Sequence, residues 1–267
     1  MASTNFQFND RDAEIVHYVY QLRMASLAHL AALTNRSHKT LERRVPKLRD
    51  GRYLVRLKPP PHKGLYTIGP AGVQVLIEHG YAPAGLRNHR LRHQELRDIG
   101  IRHTLFVADI HTRLLLLTRG GPVTITHWQE GPSLWDTVDA IDEEATLPVR
   151  PDAYFVLTPA TQPEGKGTVH VFLEADRSTM AHSRMATKIG AYLAYHHSRR
   201  YAKKYPPMHS FIVATVTQTR SRADELRRDL QPFIPRTAQA AYRFIPFDDL
   251  TLTSLVPSLS PASAQSH

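Results

Sequence analysis

Apolar residues in the first fifty positions recur at helical spacing in three consecutive segments. Residues 10–22, 27–34 and 38–50 place apolar side chains three or four positions apart, which is the pattern of amphipathic helices. Asp10, Ser26 and Ser37 stand where these helices would begin, and such side chains commonly cap a first turn. The short polar turn before residue 38 therefore predicts a helix-turn-helix. Pro46 is a departure, because proline either kinks a helix or marks its end.

Two segments with strand-like alternation, 53–57 and 65–68, follow the third helix, and a helical segment, 70–78, comes after them. The stretches Gly-Arg-Tyr-Leu-Val and Leu-Tyr-Thr-Ile-Gly-Pro-Ala-Gly resemble the helix-to-wing and wing-to-helix segments of winged helix-turn-helix domains. Cations on the third helix and on the hairpin tip suit contacts with DNA phosphates. The predicted DNA-binding residues are Lys39, Arg43, Arg44, Lys47, Lys58 and Lys63. The alternatives are a solvated helical face and a protein-binding module.

The rest of the chain predicts a sheet covered by helices. The pattern gives a long helix that starts in the basic segment after residue 86 and ends near residue 118, strands at 123–128, 150–157 and 169–177, a helix at 178–197, a strand at 211–216, a helix at 222–230 and a strand at 242–247. We therefore predict an α+β or α/β fold with two domains, 1–85 and 86–250. The tail 251–267 is rich in Ser, Pro and Ala, and we expect it to be disordered.

The charge composition makes nucleic acid the expected binding partner. The chain has 34 Lys plus Arg against 24 Asp plus Glu, a formal net charge of +10, which makes a polyanion the expected partner. No apolar run approaches the roughly 18 residues of a membrane-spanning helix, and residues 1–10 lack a signal-peptide core. We expect a cytoplasmic protein without a membrane partner. The absence of cysteine excludes disulfides and thiolate zinc sites.

Two carboxylates stand at the ends of strand-like runs. Asp152 precedes one run and Glu174 lies near the end of the next. If the runs pair across the loop 158–168, both carboxylates can lie near one sheet edge and form an oxygen-ligand site for Mg²⁺. Each residue also has an ordinary explanation. Asp152 suits a turn that starts a strand, and Glu174 suits an edge-strand charge that discourages aggregation.

The order helix, three strands, helix, strand is similar to the αβββαβ core of the PD-(D/E)xK nuclease superfamily, which includes restriction endonucleases. With the winged helix, residues 10–247 resemble the replication-relaxation family of plasmid and mobile-element proteins. The residues that carry the resemblance are Arg150 to Ala153, Phe172 to Thr179, Lys188 and Tyr192. The resemblance implies that Asp152, Glu174 and the main-chain carbonyl of Ala175 bind Mg²⁺, which would activate water for DNA nicking.

One position departs from the superfamily pattern. Asp176 stands two residues after Glu174, where the motif has lysine, and strand positions two apart share a face. In one interpretation Lys188 of the next helix replaces the missing cation, so that Asp152, Glu174, Asp176 and Lys188 form the catalytic set. In the other, the site is degenerate and Asp176 forms a structural ion pair with Arg177 or Arg184.

The resemblance implies replication initiation, DNA relaxation or mobilisation, with double-stranded DNA and replication or mobilisation proteins as partners. The alternative is a non-enzymatic winged-helix regulator whose degenerate nuclease-like domain forms a homodimer. Asp109 and Glu95 are candidates for an outer metal contact, and Tyr192 and Tyr195 are expected to be packing residues. A basic cluster has two interpretations, a solvated surface or a phosphate-binding surface. Its residues are Arg199, Arg200, Lys203 and Lys204.

Overall fold

Helices and β-sheets alternate along the chain in the structure, a computed structural model that describes residues 6–57, 64–82, 98–141, 144–160, 167–178 and 181–257. Two units are present, Met1–Thr112 and Arg113–His267. Their mixture of helices and sheets agrees with the predicted α+β class. The predicted domain boundary at residues 85–86 lies outside the described residues.

The first unit contains four short helices and a small antiparallel sheet. Its elements are α1 (Asp10–Gln21), β1 (Ala25–Ser26), α2 (Leu27–Thr34), α3 (His38–Asp50), β2 (Leu54–Arg56), β3 (Leu65–Ile68) and α4 (Pro70–Glu78), followed by α5 (Asp98–Thr118), within which the two units meet in sequence. The sheet has the order β1-β3-β2. The predicted helices and the two hairpin strands are confirmed, whereas the two-residue strand β1 is too short for an alternation pattern to reveal.

Side-chain caps explain where the first three helices begin. Ser26 and Ser37 accept hydrogen bonds from the backbone of the third residue of α2 and α3, as predicted. Asn9, and not the predicted Asp10, caps α1, because Asn9 and Asp12 exchange hydrogen bonds in a capping box. Pro46 neither ends nor interrupts α3, which continues to Asp50.

The second unit is built on a five-stranded mixed sheet. Its elements are β4 (Val123–Glu130), β5 (Asp136–Asp139), β6 (Thr146–Val149), β7 (Ala153–Pro159), β8 (Val169–Asp176), α6 (His182–Ser198), α7 (Arg200–Lys204), β9 (Ile212–Thr217), α8 (Arg220–Leu230), β10 (Tyr242–Pro246) and α9 (Leu252–Leu255). The main sheet has the order β10-β9-β8-β7-β4. Strand β7 is antiparallel to both of its neighbours, β4 and β8, and β9 and β10 continue the sheet parallel to β8.

The pairing of the two carboxylate-bearing runs is confirmed. Strand β7 pairs antiparallel with β8, with Ala153 opposite Leu173. The predicted order of helix, three strands, helix and strand is also present, but a separate hairpin, β5–β6, is inserted between β4 and β7. This hairpin was not predicted, because its strands have four residues each and alternate only weakly.

Helix α6 is attached to the sheet by an aromatic core. Phe172 of β8 packs against Tyr192 and Tyr195 of α6 and against Phe211, with ring centroids 5.0–6.3 Å apart. The three α6 and β8 side chains are buried to 1% exposure or less. Burial of rings this large contributes strongly to stability. It also fixes which face of α6 points towards the end of β8.

The carboxyl-terminal segment differs from the predicted tail. Residues 251–257 are described, and Thr251 caps α9 through a capping box with Ser254. Leu255 and Val256 are buried, so burial of apolar side chains orders a segment whose composition suggested disorder. Residues 258–267 lie outside the described part of the chain. Among the described helices, none combines the length and the apolar character needed to cross a membrane.

Candidate functional site

Asp152 lies against the strand that carries Glu174. The Asp152 N–H donates to the Leu173 carbonyl at 2.9 Å, and Asp152 Oδ2 accepts from the Ala175 N–H at 2.8 Å. These bonds join Asp152 to the residues immediately before and after Glu174. Burial is the main reason why the pKa of Glu174 is raised, and the negative charge of Asp152 adds to the rise. The two predicted carboxylates therefore converge at the end of β8.

Helix α6 supplies the two side chains that contact Glu174. Tyr192 donates its hydroxyl proton to Glu174 Oε1 at 2.7 Å, and the Lys188 ammonium forms an ion pair with Oε2. Residues four apart on a helix lie on one face, so Lys188 and Tyr192 reach the same carboxylate. Glu174 is only 2% exposed. Lys188 therefore lies at this carboxylate, where the first interpretation requires a cation. Tyr192 combines packing with a polar contact.

Burial controls the ionisation of this group. Desolvation raises the pKa of Glu174 to about 7, and Asp152 adds to the rise, although Lys188 and Tyr192 oppose it. Burial lowers the pKa of Lys188, but the nearby carboxylates outweigh it and the net pKa is raised. Lys188 is thus a cation at neutral pH. The raised pKa of Glu174 means that burial favours its protonated form more than Lys188 favours the ionised one.

Asp176 forms a separate buried ion pair. Its Oδ2 accepts from Arg222 Nε at 2.7 Å and its Oδ1 from the Ser178 N–H at 2.8 Å. The Asp176 side chain is 0% exposed and that of Arg222 is 8% exposed. His182 lies beside the pair, with Nε2 2.5 Å from Arg222 Nη1 and Nδ1 3.0 Å from Asp229 Oδ2.

The ion pair of Asp176 corrects its predicted partner. Neither Arg177 nor Arg184 is bonded to Asp176; the partner is Arg222, near the start of α8. The parallel pairing of β8 with β9 brings the start of α8 to the end of β8. No local spacing in the sequence indicates this contact, because the two residues are 46 positions apart. The structure therefore combines features of both interpretations, since Lys188 contacts Glu174 while Asp176 is held in a structural pair.

The acidic residues that remain for a metal are few. Within the described ranges, no group of three or more His, Cys, Asp or Glu side chains is arranged to hold a metal ion. Asp176 is committed to Arg222. Asp152 and Glu174 are the carboxylates that converge. Asp109, a candidate for an outer metal contact, instead lies 2.6 Å from His29 Nε2, and Glu95 is outside the described residues.

The predicted DNA-binding cations of α3 divide into two groups. Lys39, Arg43 and Lys47 are exposed and four residues apart, so they follow one face of the helix. None of the three makes a hydrogen bond or ion pair with any described residue. Lys58 and Lys63 of the predicted hairpin tip lie outside the described part of the chain.

Arg44, unlike Lys39, Arg43 and Lys47, has partners within the first unit. Its guanidinium is paired with both oxygens of Asp12, donates to the Gln7 carbonyl at 2.8 Å and lies 4.6 Å from the centre of the Phe6 ring. The Asp12 side chain is 1% exposed. Arg44 therefore joins α3 to α1 within the unit, and an internal partner accounts for its charge. Helical spacing alone could have separated it from Lys39, Arg43 and Lys47.

Comparison with known proteins gives one family. The model of a family described as Replication-relaxation matches residues 16–208. Comparisons with curated proteins and with solved structures gave no match. The matched range includes α3 and the whole cluster from Asp152 to Tyr192. It covers well over half of the sequence, and we conclude that the chain belongs to the replication-relaxation family.

Proposed function

We propose that this protein acts on DNA during replication or relaxation of a plasmid or mobile element, with a winged-helix reader in the first unit and a PD-(D/E)xK-type nicking site in the second. Membership of the replication-relaxation family supports the process. One observation carries the catalytic part. Asp152 and Glu174, from adjoining strands, converge beside the ammonium of Lys188.

The first unit has the elements that a winged-helix reader requires. In this proposal α2 and α3 are the helix-turn-helix, and β2 and β3, which pair antiparallel, are the hairpin that follows it. Lys39, Arg43 and Lys47 present an exposed row of positive charge along α3. A second helix with exposed cations suits insertion into the major groove between phosphates. Double-stranded DNA is therefore the proposed ligand of this unit.

The carboxylates of the second unit fit Mg²⁺. Magnesium is usually held by one or two carboxylates together with water molecules, so Asp152 and Glu174, with the Ala175 carbonyl, form a sufficient donor set. Burial, its largest cause, raises the pKa of Glu174 to about 7, although Lys188 opposes the rise. A divalent cation beside Glu174 would favour its ionised form.

The side chains of the site have distinct roles in the proposed reaction. When bound, Mg²⁺ would activate water and neutralise charge on the scissile phosphate. The Ala175 N–H orients the Asp152 carboxylate, and the Tyr192 hydroxyl orients that of Glu174. Lys188, on α6, provides the cation that the superfamily places on the strand, where this chain has Asp176. Arg222 pairs with Asp176 and so offsets part of the third negative charge, which still contributes to the raised pKa of Lys188.

A nicking assay tests the catalytic proposal. Supercoiled plasmid is incubated with the wild type and with Asp152→Asn, Glu174→Gln and Lys188→Met in Mg²⁺ or Mn²⁺. We expect the wild type to produce open circles and the three variants to lose this activity. Asp224→Asn is the control, because it removes one carboxylate from an exposed pair with Arg227 on α8. Nicking that persists in Glu174→Gln would contradict the assigned site.

A second function is favoured because the carboxylates Glu174 and Asp176 of the same cluster already have hydrogen-bond and ion-pair partners within the protein. Both oxygens of Glu174 have partners, and Asp176 is fully buried in its pair with Arg222. Such a network can be purely structural, which would suit a winged-helix regulator with a degenerate nuclease-like domain that forms a homodimer. Retained DNA binding without nicking by any form would select this function. Sedimentation analysis would then establish the oligomeric state.

A further inference from the structure

An exposed tryptophan lies at the base of the β5–β6 hairpin. Trp135 follows the 3-10 turn Pro132–Leu134 and is 48% exposed, although indole rings are usually well buried. The guanidinium carbon of Arg150 lies 4.9 Å from the ring centre, a cation–π distance. Arg150 is itself exposed. The pair thus presents an aromatic ring and a guanidinium plane together at the surface of the second unit.

Four hydrogen bonds hold the segment that carries this ring. The Leu134 carbonyl accepts from Tyr205 Oη at 3.2 Å, and the Trp135 carbonyl accepts from Lys204 Nζ at 2.5 Å. Asp136 accepts from Tyr195 Oη at 2.9 Å and from Arg200 Nε at 3.2 Å. The backbone around Trp135 is therefore ordered before any ligand arrives, which lowers the entropy cost of binding.

The charge around the ring is positive. Arg150 lies over it, and helix α7 brings Arg200 and Lys204 to the same segment, bonded to Asp136 and to the Trp135 carbonyl. Arg199 and Lys203 are exposed and adjoin these two cations in sequence. The neighbouring carboxylate, Asp136, is bonded to Arg200 and Tyr195. The exposed acids Asp139 and Glu144 belong to the far end of the hairpin, and Asp139 is three residues, or about 10 Å, along β5.

This surface is close to the candidate site. Arg150 precedes Asp152 by two residues, and two residues of extended chain span about 7 Å at most. The backbone that carries Arg150 is therefore within about 7 Å of the backbone that carries Asp152. Exposed aromatic rings with flanking cations are how proteins bind single strands, because bases stack on the rings and cations contact the phosphates. In a duplex the base faces are already stacked and are not offered to a side chain.

We infer that Trp135 and Arg150 form a stacking platform for a base of single-stranded DNA, with the cations of α7 on the adjoining phosphates. The role of this platform rests on the proposed function, because the platform would hold an unwound strand near Asp152. It identifies the substrate of the second unit as a single strand, whereas α3 of the first unit is proposed to bind a duplex.

Tryptophan fluorescence tests the platform directly. The chain has two tryptophans, so Trp128→Phe leaves Trp135 as the reporter, with Phe chosen to keep the stacking of residue 128 on Phe155. The full-length variant is titrated with oligo(dT) and with a duplex of equal length, without divalent metal. We expect saturable quenching by oligo(dT). In a separate anisotropy titration, Trp135→Ala should weaken oligo(dT) binding roughly 5- to 150-fold, and Trp135→Phe should retain most of the affinity.

Phe233→Ala is the matched control, because Phe233 is 73% exposed on the same unit but is not part of the platform. It should leave oligo(dT) affinity unchanged. Absent quenching, an equal loss of duplex and single-strand affinity in Trp135→Ala, or tighter binding of oligo(rU) than oligo(dT) would overturn the inference. If Trp135→Ala fails to fold by circular dichroism, the quenching and the Trp135→Phe titration decide.

The outcome is separable from that of the proposed nicking activity. Selective oligo(dT) binding through Trp135 with no nicking by the wild type would support the platform and reject catalysis. Nicking that needs Asp152 and Glu174 but is unchanged in Trp135→Ala, together with absent quenching, would reject the platform and support catalysis.

Discussion

The charges of α3 and those at the end of β8 differ in what they contact. Lys39, Arg43 and Lys47 are exposed and make no polar contact with a described residue. Glu174 and Asp176 are 2% exposed, and each is bonded to a cation. Unpaired surface cations cost the fold little and remain available to a polyanion. Substitution of a paired, buried charge changes the stability of the fold, so a loss of activity in a Glu174 variant must be compared with its loss of stability.

Arg44 is an exception on α3, because it is paired with a buried group of opposite charge, as the charged residues of β8 are paired. Its partner Asp12 is almost completely buried, whereas the adjacent Arg43 is exposed. Two neighbouring arginines of similar sequence context thus differ in role, since one is paired inside the unit and the other is exposed. The partner of a charge, more than its place in the chain, indicates whether it stabilises the fold or binds a ligand. The variants below test this distinction.

The largest effect is expected from Arg222→Ala. This change leaves the Asp176 carboxylate, 0% exposed, without its cation, and an unpaired buried charge commonly costs about 3–5 kcal/mol. The free energy of unfolding should fall by that amount in chemical denaturation at neutral pH. The double variant Asp176→Asn with Arg222→Leu removes both charges and should recover most of the loss.

Arg220→Ala is the control for this prediction. Arg220 pairs with Asp249 at the surface, and its side chain is 69% exposed. Surface pairs contribute about 0–1 kcal/mol, so this variant should be nearly as stable as the wild type. Equal losses in Arg222→Ala and Arg220→Ala would show that the burial of the Asp176 pair has no energetic consequence. The contrast between the regions would then fail.

Glu174→Gln should change how stability depends on pH. Burial raises the folded-state pKa of Glu174 from 4.5 to about 7, so the folded protein holds this proton more tightly than the unfolded chain. The contribution is complete below about pH 4.5 and is lost as pH rises through about 7. A shift of this size corresponds to about 3 kcal/mol. Glu174→Gln cannot titrate and should lack this loss.

The measurement is the difference in unfolding free energy between wild type and Glu174→Gln from pH 4.5 to 8. Taking the difference removes the contributions of histidines that titrate in the same interval. The wild type should lose stability relative to the variant as pH rises. Parallel curves would mean that Lys188 keeps Glu174 ionised throughout, and that the pair behaves as an ordinary buried salt bridge.

The sequence predicted the elements better than the contacts of their charged groups. Strong periodicity located α2, α3, α4, β3 and the pairing of β7 with β8, because local patterns determine these features. The hairpin β5–β6 was missed because its short strands have few buried positions. Composition suggested disorder at residues 251–257, where two buried apolar side chains, Leu255 and Val256, order the segment instead.

Only the part of the candidate site that depends on local sequence patterns was predicted. Asp152 and Glu174 stand at strand ends whose pairing can be inferred, and Lys188 follows on the next helix. Arg222 could not be assigned, because only the parallel alignment of β8 and β9 brings it to Asp176. Trp135 was not considered, because nothing in a single sequence distinguishes an exposed tryptophan from a buried one.

Arg44→Ala should reduce stability by about 2 kcal/mol. Hydrogen bonds to charged groups contribute about 1.5–3 kcal/mol, and this change leaves Asp12, 1% exposed, without its cation. The loss should appear in thermal or chemical unfolding of the whole chain. Arg43→Ala is the matched control, one residue away and exposed, and it should unfold like the wild type. Equal stability of the two variants would assign Arg44 to the surface group.

The smallest expected effect is that of Arg43→Ala on DNA binding. If Arg43 contacts one phosphate, its removal should weaken duplex binding to a similar extent for different sequences and reduce the slope of log affinity against log salt by about 0.9. Fluorescence anisotropy with duplexes of two unrelated sequences between 50 and 200 mM salt, about the range in which such slopes are steep, measures both quantities. Arg228→Ala, an exposed arginine of α8, should leave the slope unchanged. An unchanged slope in Arg43→Ala would mean that the exposed row of α3 binds something other than a phosphate backbone, and the contrast between available and internally paired charges would no longer identify the DNA-binding surface.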